Sequence, residues 1–322
     1  GRLTMNNPEW EPIEQQNLHT NRIVPVYPLT ANITQRWLRR LMYEVVSYWA
    51  PRVSDPLPIS LCQSAELVDL PTALMQAHFP ASDKDLKTAR HRLAFDEIFL
   101  LQLGVLQQKR HWQNRSARQF QSPQGWMEAQ IARLPFALTG AQLRAVADMQ
   151  QDLASGHPMN RLLQGDVGSG KTVIAALGIA IVAQVGAQSA VMAPTSILAE
   201  QHCRSMLRLL AEPDENNQVD QPLSPSQIRL LIGATPEAEK EEIRQGLADG
   251  SIKLVIGTHA LIEDPVIFSE LQFIVVDEQH RFGVEQRALL RQKGENPHLL
   301  VMTATPIPRS LALTVYGDLD LS

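Results

Sequence analysis

Cysteine is nearly absent. Cys62 and Cys203 are the two in 322 residues, far apart and without metal-ligand spacing. That excludes a disulfide-built scaffold and a thiolate metal centre, and it suits a reducing compartment. Aromatic side chains are sparse as well, at 5%. The longest apolar run, Val173–Val185, is too short to span a bilayer and has the length of a buried helix. No secretory signal opens the sequence, so no membrane role is expected. A strong excess of one charge sign is also missing. The net charge is −5, unevenly spread: residues 1–134 carry 15 Lys and Arg against 12 Asp and Glu, the remainder 14 against 22. A weakly basic front suits contact with a phosphate backbone, and equally an ordinary solvated helix surface.

What remains is a globular composition, 44% hydrophobic and 20% charged, long enough for two domains. The opening Gly1 and the uncapped Leu319–Ser322 read as cuts through a longer polypeptide. Residues 1–30, broken by Pro8, Pro12, Pro25 and Pro28, are expected to form an extended connector. Residues 31–134 read as helical, with helices over Thr30–Ala50, Ser64–Ala77 (interrupted near Pro71) and Asp83–Gln113. Arg90, Arg92, Lys109, Arg110, Arg115 and Arg118 flank the last of these. Trp112 and Trp126 stand near them, able to stack on bases or, more commonly, to anchor a helix. Ser116–Gly125 reads as a polar linker, and the domain boundary is expected near Leu134.

From Pro135 short Val/Ile/Leu/Met runs alternate with helical stretches. Strands are expected at Arg161–Leu163, Ser189–Ala193, Ile228–Ile232, Ile252–Ile256, Phe273–Val276 and Leu299–Thr303. Helices are expected at Thr139–Leu153, Val173–Val185, Ile197–Leu210 and Pro236–Leu247. That alternation predicts an α/β fold, a parallel sheet flanked by helices with ligands at the carboxyl ends of its strands.

Gly165-Asp-Val-Gly168-Ser169-Gly170-Lys171-Thr172 fits the phosphate-loop pattern G-x-x-x-x-G-K-[ST]. Glycines let backbone N–H groups turn inward around a phosphate, Lys171 brings a cation to the β- and γ-phosphates, and Thr172 offers a hydroxyl to Mg²⁺. The strand Phe273–Val276 runs directly into Asp277-Glu278-Gln279-His280. Asp277 is a candidate for the metal ion, Glu278 for directing the attacking water, and His280 for reporting the γ-phosphate. An acidic helix cap has the same composition, but the phosphate loop favours the nucleotide reading. Gln142 can pair with both a donor and an acceptor on an adenine edge, and Phe136 can lie against the base, although Thr139 beside them also makes a good helix cap. Thr195, Thr258 and His259 follow candidate strands and suit phosphate contacts along nucleic acid, or are plain strand-end turns. Thr303 and Thr305 close another strand and can hydrogen-bond the acidic centre.

Together these segments resemble the superfamily 2 helicases, and most closely the RecG family of branched-DNA helicases. Gly165–Thr172 looks like motif I, Ala193–His202 motif Ia, Gly257–Ile262 motif Ib, Asp277–Val284 motif II and Thr303–Arg309 motif III. Leu311–Asp320 is similar to RecG rather than to the transcription-repair coupling factor, which typically has Glu where Gln279 stands. In the front half Arg22–Pro28, Gln35–Leu41, His78–Pro80 and Ala89–Leu103 share the resemblance.

The resemblance implies a RecA-like P-loop lobe over 135–322, a helical linker before it, and the end of an oligonucleotide-binding wedge domain around Gly1–Glu11. It further implies ATP and Mg²⁺ as cofactors and branched double-stranded DNA as partner. A second RecA-like lobe carrying an arginine finger would lie outside the chain, in a monomeric, cytoplasmic, nucleoid-associated bacterial enzyme. Two rival readings are a nucleotide-gated DNA-binding switch without unwinding and a small-molecule kinase. The Asp277–His280 box argues against the second.

Overall fold

The structure, a computed structural model, describes residues 18–213, 221–277, 284–304 and 319–322. Contacts divide the chain into two compact units, 1–103 and 104–322.

In the first unit α1 (Gln35–Trp49) begins at Thr34, whose hydroxyl accepts from the Trp37 N–H. Pro51 then tightens the chain into a 3-10 turn at Ala50–Arg52. A short α2 (Ile59–Ser64) precedes α3 (Leu70–His78), which Asp69 caps by accepting from the Thr72 N–H at 2.7 Å. The long α4 (Asp83–Gln113) follows, and the division between the units falls inside it. The apolar centre of this unit is small: Val46, Ala50 and Phe79, ringed by Met42, Tyr43, Leu74 and Met75. Beside it lies a polar centre. Arg92, fully buried, donates to both oxygens of Asp55 at 2.6 and 2.8 Å, to Asp96 at 2.9 Å and to the Val68 carbonyl at 2.6 Å. Hydrogen bonding to that guanidinium holds the Asp55 carboxyl well below the usual carboxylate range.

The second unit is built on a parallel sheet, seven strands among the described residues, in the order β3-β4-β2-β5-β6-β1-β7. After α5 (Trp126–Ala132) and α6 (Gly140–Ala154) come β1 (Asn160–Gln164), α7 (Lys171–Gln184), β2 (Gln188–Met192) and α8 (Ser196–Ala211). They are followed by β3 (Ile228–Leu231), α9 (Glu237–Ala248), β4 (Leu254–Gly257) and β5 (Leu271–Asp277). Last are α10 (Val284–Gln292), β6 (His298–Thr303) and β7 (Asp320–Leu321). Central strands are buried along their whole length, β5 at all seven residues, which is why they read as unbroken apolar runs. Helix α7 is buried on every side from Val173 to Val182. Gly178 lets it pass the sheet and α6 closely: a Cβ there would stand 2.8 Å from the Met149 sulfur and 2.9 Å from the Phe273 ring.

Residues 116–125 do not behave as a free linker. The Ala117 and Phe120 N–H groups donate to the carbonyls of Gly156 and Leu153, each at 2.9 Å. Phe120 is buried in the core of the second unit, edge-on to His298. One aromatic residue in a polar run suffices to dock it. The boundary read near Leu134 therefore does not coincide with the division inside α4. Within the second unit several of the basic and aromatic residues around this stretch have internal partners. Lys109 pairs with Asp320 at 2.6 Å, Arg118 with Glu270, and the guanidinium groups of Arg115 and Arg291 lie 4.4 and 3.9 Å from the Trp112 ring centre. Trp126 packs against the core.

Candidate nucleotide site at the carboxyl edge of the sheet

The phosphate loop joins β1 to α7. Gly168 and Gly170 adopt φ of +81° and +83°, in the left-handed region that side chains with a Cβ rarely enter. Space constrains the loop as well as torsion. A Cβ on Gly165 would press on the Ser169 hydroxyl, and one on Gly170 would run into the Gln142 amide. No side chain caps the first turn of α7, so its N–H groups face the loop as a ready anion site. Lys171 curls back, its Nζ donating to the carbonyls of Gly165 at 2.7 Å and Asp166 at 2.8 Å. Both acceptors belong to the loop itself, and a phosphate oxygen bound there would compete with them for the ammonium. Thr172 follows, half-buried.

Gln142 closes the other side. Its Oε1 accepts from the Thr139 N–H at 2.8 Å while the Thr139 hydroxyl accepts from the Gln142 N–H, a reciprocal cap on α6. Its Nε2 donates to the Ser169 carbonyl at 2.8 Å. The helix cap and the contact with the phosphate loop are thus one residue's work, and both ends of the amide are engaged within the protein. Phe136 is half-exposed nearby in sequence.

Asp277 ends β5 and is 8% exposed. β5 and β1 are parallel, each paired to one side of β6, with Asp277 opposite Met302 and Gln164 opposite Thr303. The loop of Lys171 and the carboxylate of Asp277 therefore leave the same edge, two strand spacings apart, or roughly 10 Å. One nucleotide's phosphates and a metal ion span such a gap. Between them, the buried Thr303 presents its backbone carbonyl to the Gly165 N–H at 3.2 Å. Among the described residues there is no cluster of three or more His, Cys, Asp or Glu able to hold a metal ion alone. A cation shared between Asp277, Thr172 and phosphate oxygens fits that donor set.

Three anticipated residues, Glu278, His280 and Thr305, lie outside the described residues. Thr195 is exposed and caps α8 by accepting from the Leu198 N–H at 3.3 Å. Thr258, at the end of β4, is 4% exposed, so of that pair only His259 faces outward. The sequence places His202 at the end of the Ala193–His202 segment without giving it a role of its own. On α8 it shares the buried stripe with Ala199, Met206 and Leu210, and its Nε2 stands 2.6 Å from Asp277 Oδ2. The signal was available: a histidine at a helical position otherwise reserved for apolar residues.

The family model for the DEAD/DEAH box helicases matches residues 139–314, more than half of the chain, with both the phosphate loop and Asp277 inside the match. The chain belongs to the DEAD/DEAH box helicases. A second family model, the RecG wedge domain, matches residues 1–49. Its relatives within this helicase family include RecG proteins. The ATP-dependent DNA helicase RecG of Synechocystis sp. is 45% identical over 99% of this chain and 38% of its own length. That of Thermotoga maritima is 41% identical over 100% and 40%. A solved structure of RecG bound to a three-way DNA junction superposes with a TM-score of 0.73 at 41% identity, covering 93% of this chain and 39% of that one. The chain thus spans about two fifths of the length of these relatives.

Proposed function

We propose that this chain is the ATP-binding first motor lobe, with its helical lead-in, of a helicase that moves along double-stranded DNA and remodels branched junctions such as stalled forks. The observation that carries the reading is the meeting of the Lys171 loop and Asp277 at one sheet edge, either side of one strand. It is supported by RecG relatives above 40% identity over nearly the whole chain.

Lys171 and the N–H groups of Gly168, Ser169 and Gly170 would hold the phosphates. Thr172 and Asp277 would hold Mg²⁺, which when bound neutralises charge on the transferred phosphoryl group. Glu278 would direct water, with His280 beside it. Phe136 and Gln142 would take the adenine, which requires Gln142 to release either Thr139 or Ser169. Thr303 and Thr305 would couple the cleft to DNA held by Thr195, Thr258 and His259, although Thr258 must first be uncovered. A second lobe in the full-length protein would add an arginine finger, worth roughly 10³–10⁵ in turnover in phosphoryl-transfer enzymes. The chain alone should therefore bind ATP–Mg²⁺ weakly and scarcely hydrolyse it. The whole enzyme would be a cytoplasmic, nucleoid-associated monomer.

The test is Lys171→Ala in the full-length protein. DNA-stimulated ATP hydrolysis should vanish while binding to a synthetic fork persists. Unchanged turnover would reject the assignment.

A further inference from the structure

His202 and Asp277 lie 75 residues apart in the chain, both buried, joined by a 2.6 Å contact. An ionised carboxylate has no hydrogen to give, so the imidazole Nε2 carries the proton and donates. Packing alone does not call for this arrangement. The position belongs to a stripe filled by Ala199, Met206 and Leu210, where leucine would fit without the cost of desolvating a polar ring. What the histidine adds is a fixed carboxylate. With Oδ2 tethered, Asp277 loses rotational freedom about its last bond, and Oδ1 is the oxygen left without that tether.

We infer that His202 is a positioning residue for Asp277, orienting the carboxylate toward the nucleotide's metal ion and linking it through α8 to the segment Ala193–Thr195. The link is short. Three residues connect β2 to α8, and His202 sits about two turns into that helix. A displacement of the Thr195 end, where DNA is proposed to bind, reaches the carboxylate through two helical turns and one hydrogen bond. Outer-shell donors of this kind typically change metal affinity or activity 10–100-fold when removed. The inference rests on the proposed reading of Asp277 as a metal ligand.

The experiment uses His202→Leu and His202→Gln in the full-length protein. It measures Mn²⁺ affinity in the presence of ADP by electron paramagnetic resonance, with metal-free ADP affinity, thermal midpoint and DNA-stimulated kinetics alongside. His202→Leu should keep the midpoint and the metal-free ADP affinity, weaken Mn²⁺ by roughly 10–100-fold, and lower kcat more than it changes KM for ATP. His202→Gln, which keeps an N–H donor of similar reach, should recover most of the loss. Wild-type Mn²⁺ affinity in His202→Leu, or a glutamine variant as defective as the leucine one, overturns the role. If leucine unfolds the lobe, His202→Met, equally unable to donate, takes its place with the same expected and overturning results. Asp277→Asn separates the two possible failures. No loss of Mn²⁺ there rejects Asp277 as ligand, whereas loss there with none in His202→Leu rejects only the positioning role.

Discussion

In residues 18–103 the largest fully buried side chain is an arginine, while in 104–322 it is a phenylalanine among methionines, leucines and isoleucines. The front unit is centred on Arg92, which gathers Asp55, Asp96 and the Val68 carbonyl from three separate stretches of chain. The second unit, the proposed motor lobe, is held by two apolar layers packed on the faces of a parallel sheet. The two solutions differ in how they fail. An apolar core degrades gradually as atoms are removed, whereas an ion cluster around a buried guanidinium loses several bonds at once when that member goes, because the carboxylates keep their charge without its counter-ion.

The widest separation between the units should come from Arg92→Met. Stranding Asp55 and Asp96 should cost about 3–5 kcal/mol, visible in hydrogen exchange as lost protection in α1, α3 and the first turns of α4. The strands of the motor lobe should keep theirs. Loss that spreads equally to β5 and β6 would show that the units do not hold themselves independently. The reverse damage comes from Gly178→Leu, which forces side-chain atoms against Met149 and Phe273. About 1–3 kcal/mol should be lost, confined to 104–322. An unchanged unfolding midpoint would mean α7 has slack that the packing does not suggest.

Acid gives the smallest contrast. Burial lowers the pKa of His78 in the front unit and of His298 in the motor lobe. A histidine whose folded pKa lies below its free value leaves the unfolded state binding more protons, so stability is complete above about pH 6.5 and declines as pH falls below it. His298 has both nitrogens engaged, Nδ1 accepting from the Met159 N–H at 3.1 Å and Nε2 donating to the Arg118 carbonyl at 2.9 Å. His298→Gln should therefore flatten the decline for the motor lobe alone in pH-dependent denaturation. The front unit has a second loss, centred on one carboxylate. Asp55, held low by Arg92, contributes stability above its free pKa of about 3.9 that fades as pH drops further.

The same contrast explains what could be read in advance. The motor lobe announces itself because burial on both faces leaves continuous apolar runs, and all six anticipated strands are present within two residues. Strand β7 has two residues, Asp320 and Leu321, too few to carry any pattern. In the front unit α4 was legible from its length, but nothing in the spacing of Asp55, Arg92 and Asp96 distinguishes a buried cluster from a solvated surface. At the site, the phosphate loop and Asp277 are set by local sequence at strand ends. The second engagement of Gln142 and the partner of His202 are residues 27 and 75 positions away, so a local pattern can flag the buried histidine but cannot say what it bonds.

The bond from the Gly165 N–H to the Thr303 carbonyl involves main chain on both sides. Genetics conducted one amino acid at a time exchanges side chains, so it is nearly blind to a bond between peptide groups. Alanine scanning of both segments, position 165 apart, would leave this donor and this acceptor in place. Only an imino acid at position 165, or an ester in place of that amide, cuts the bond.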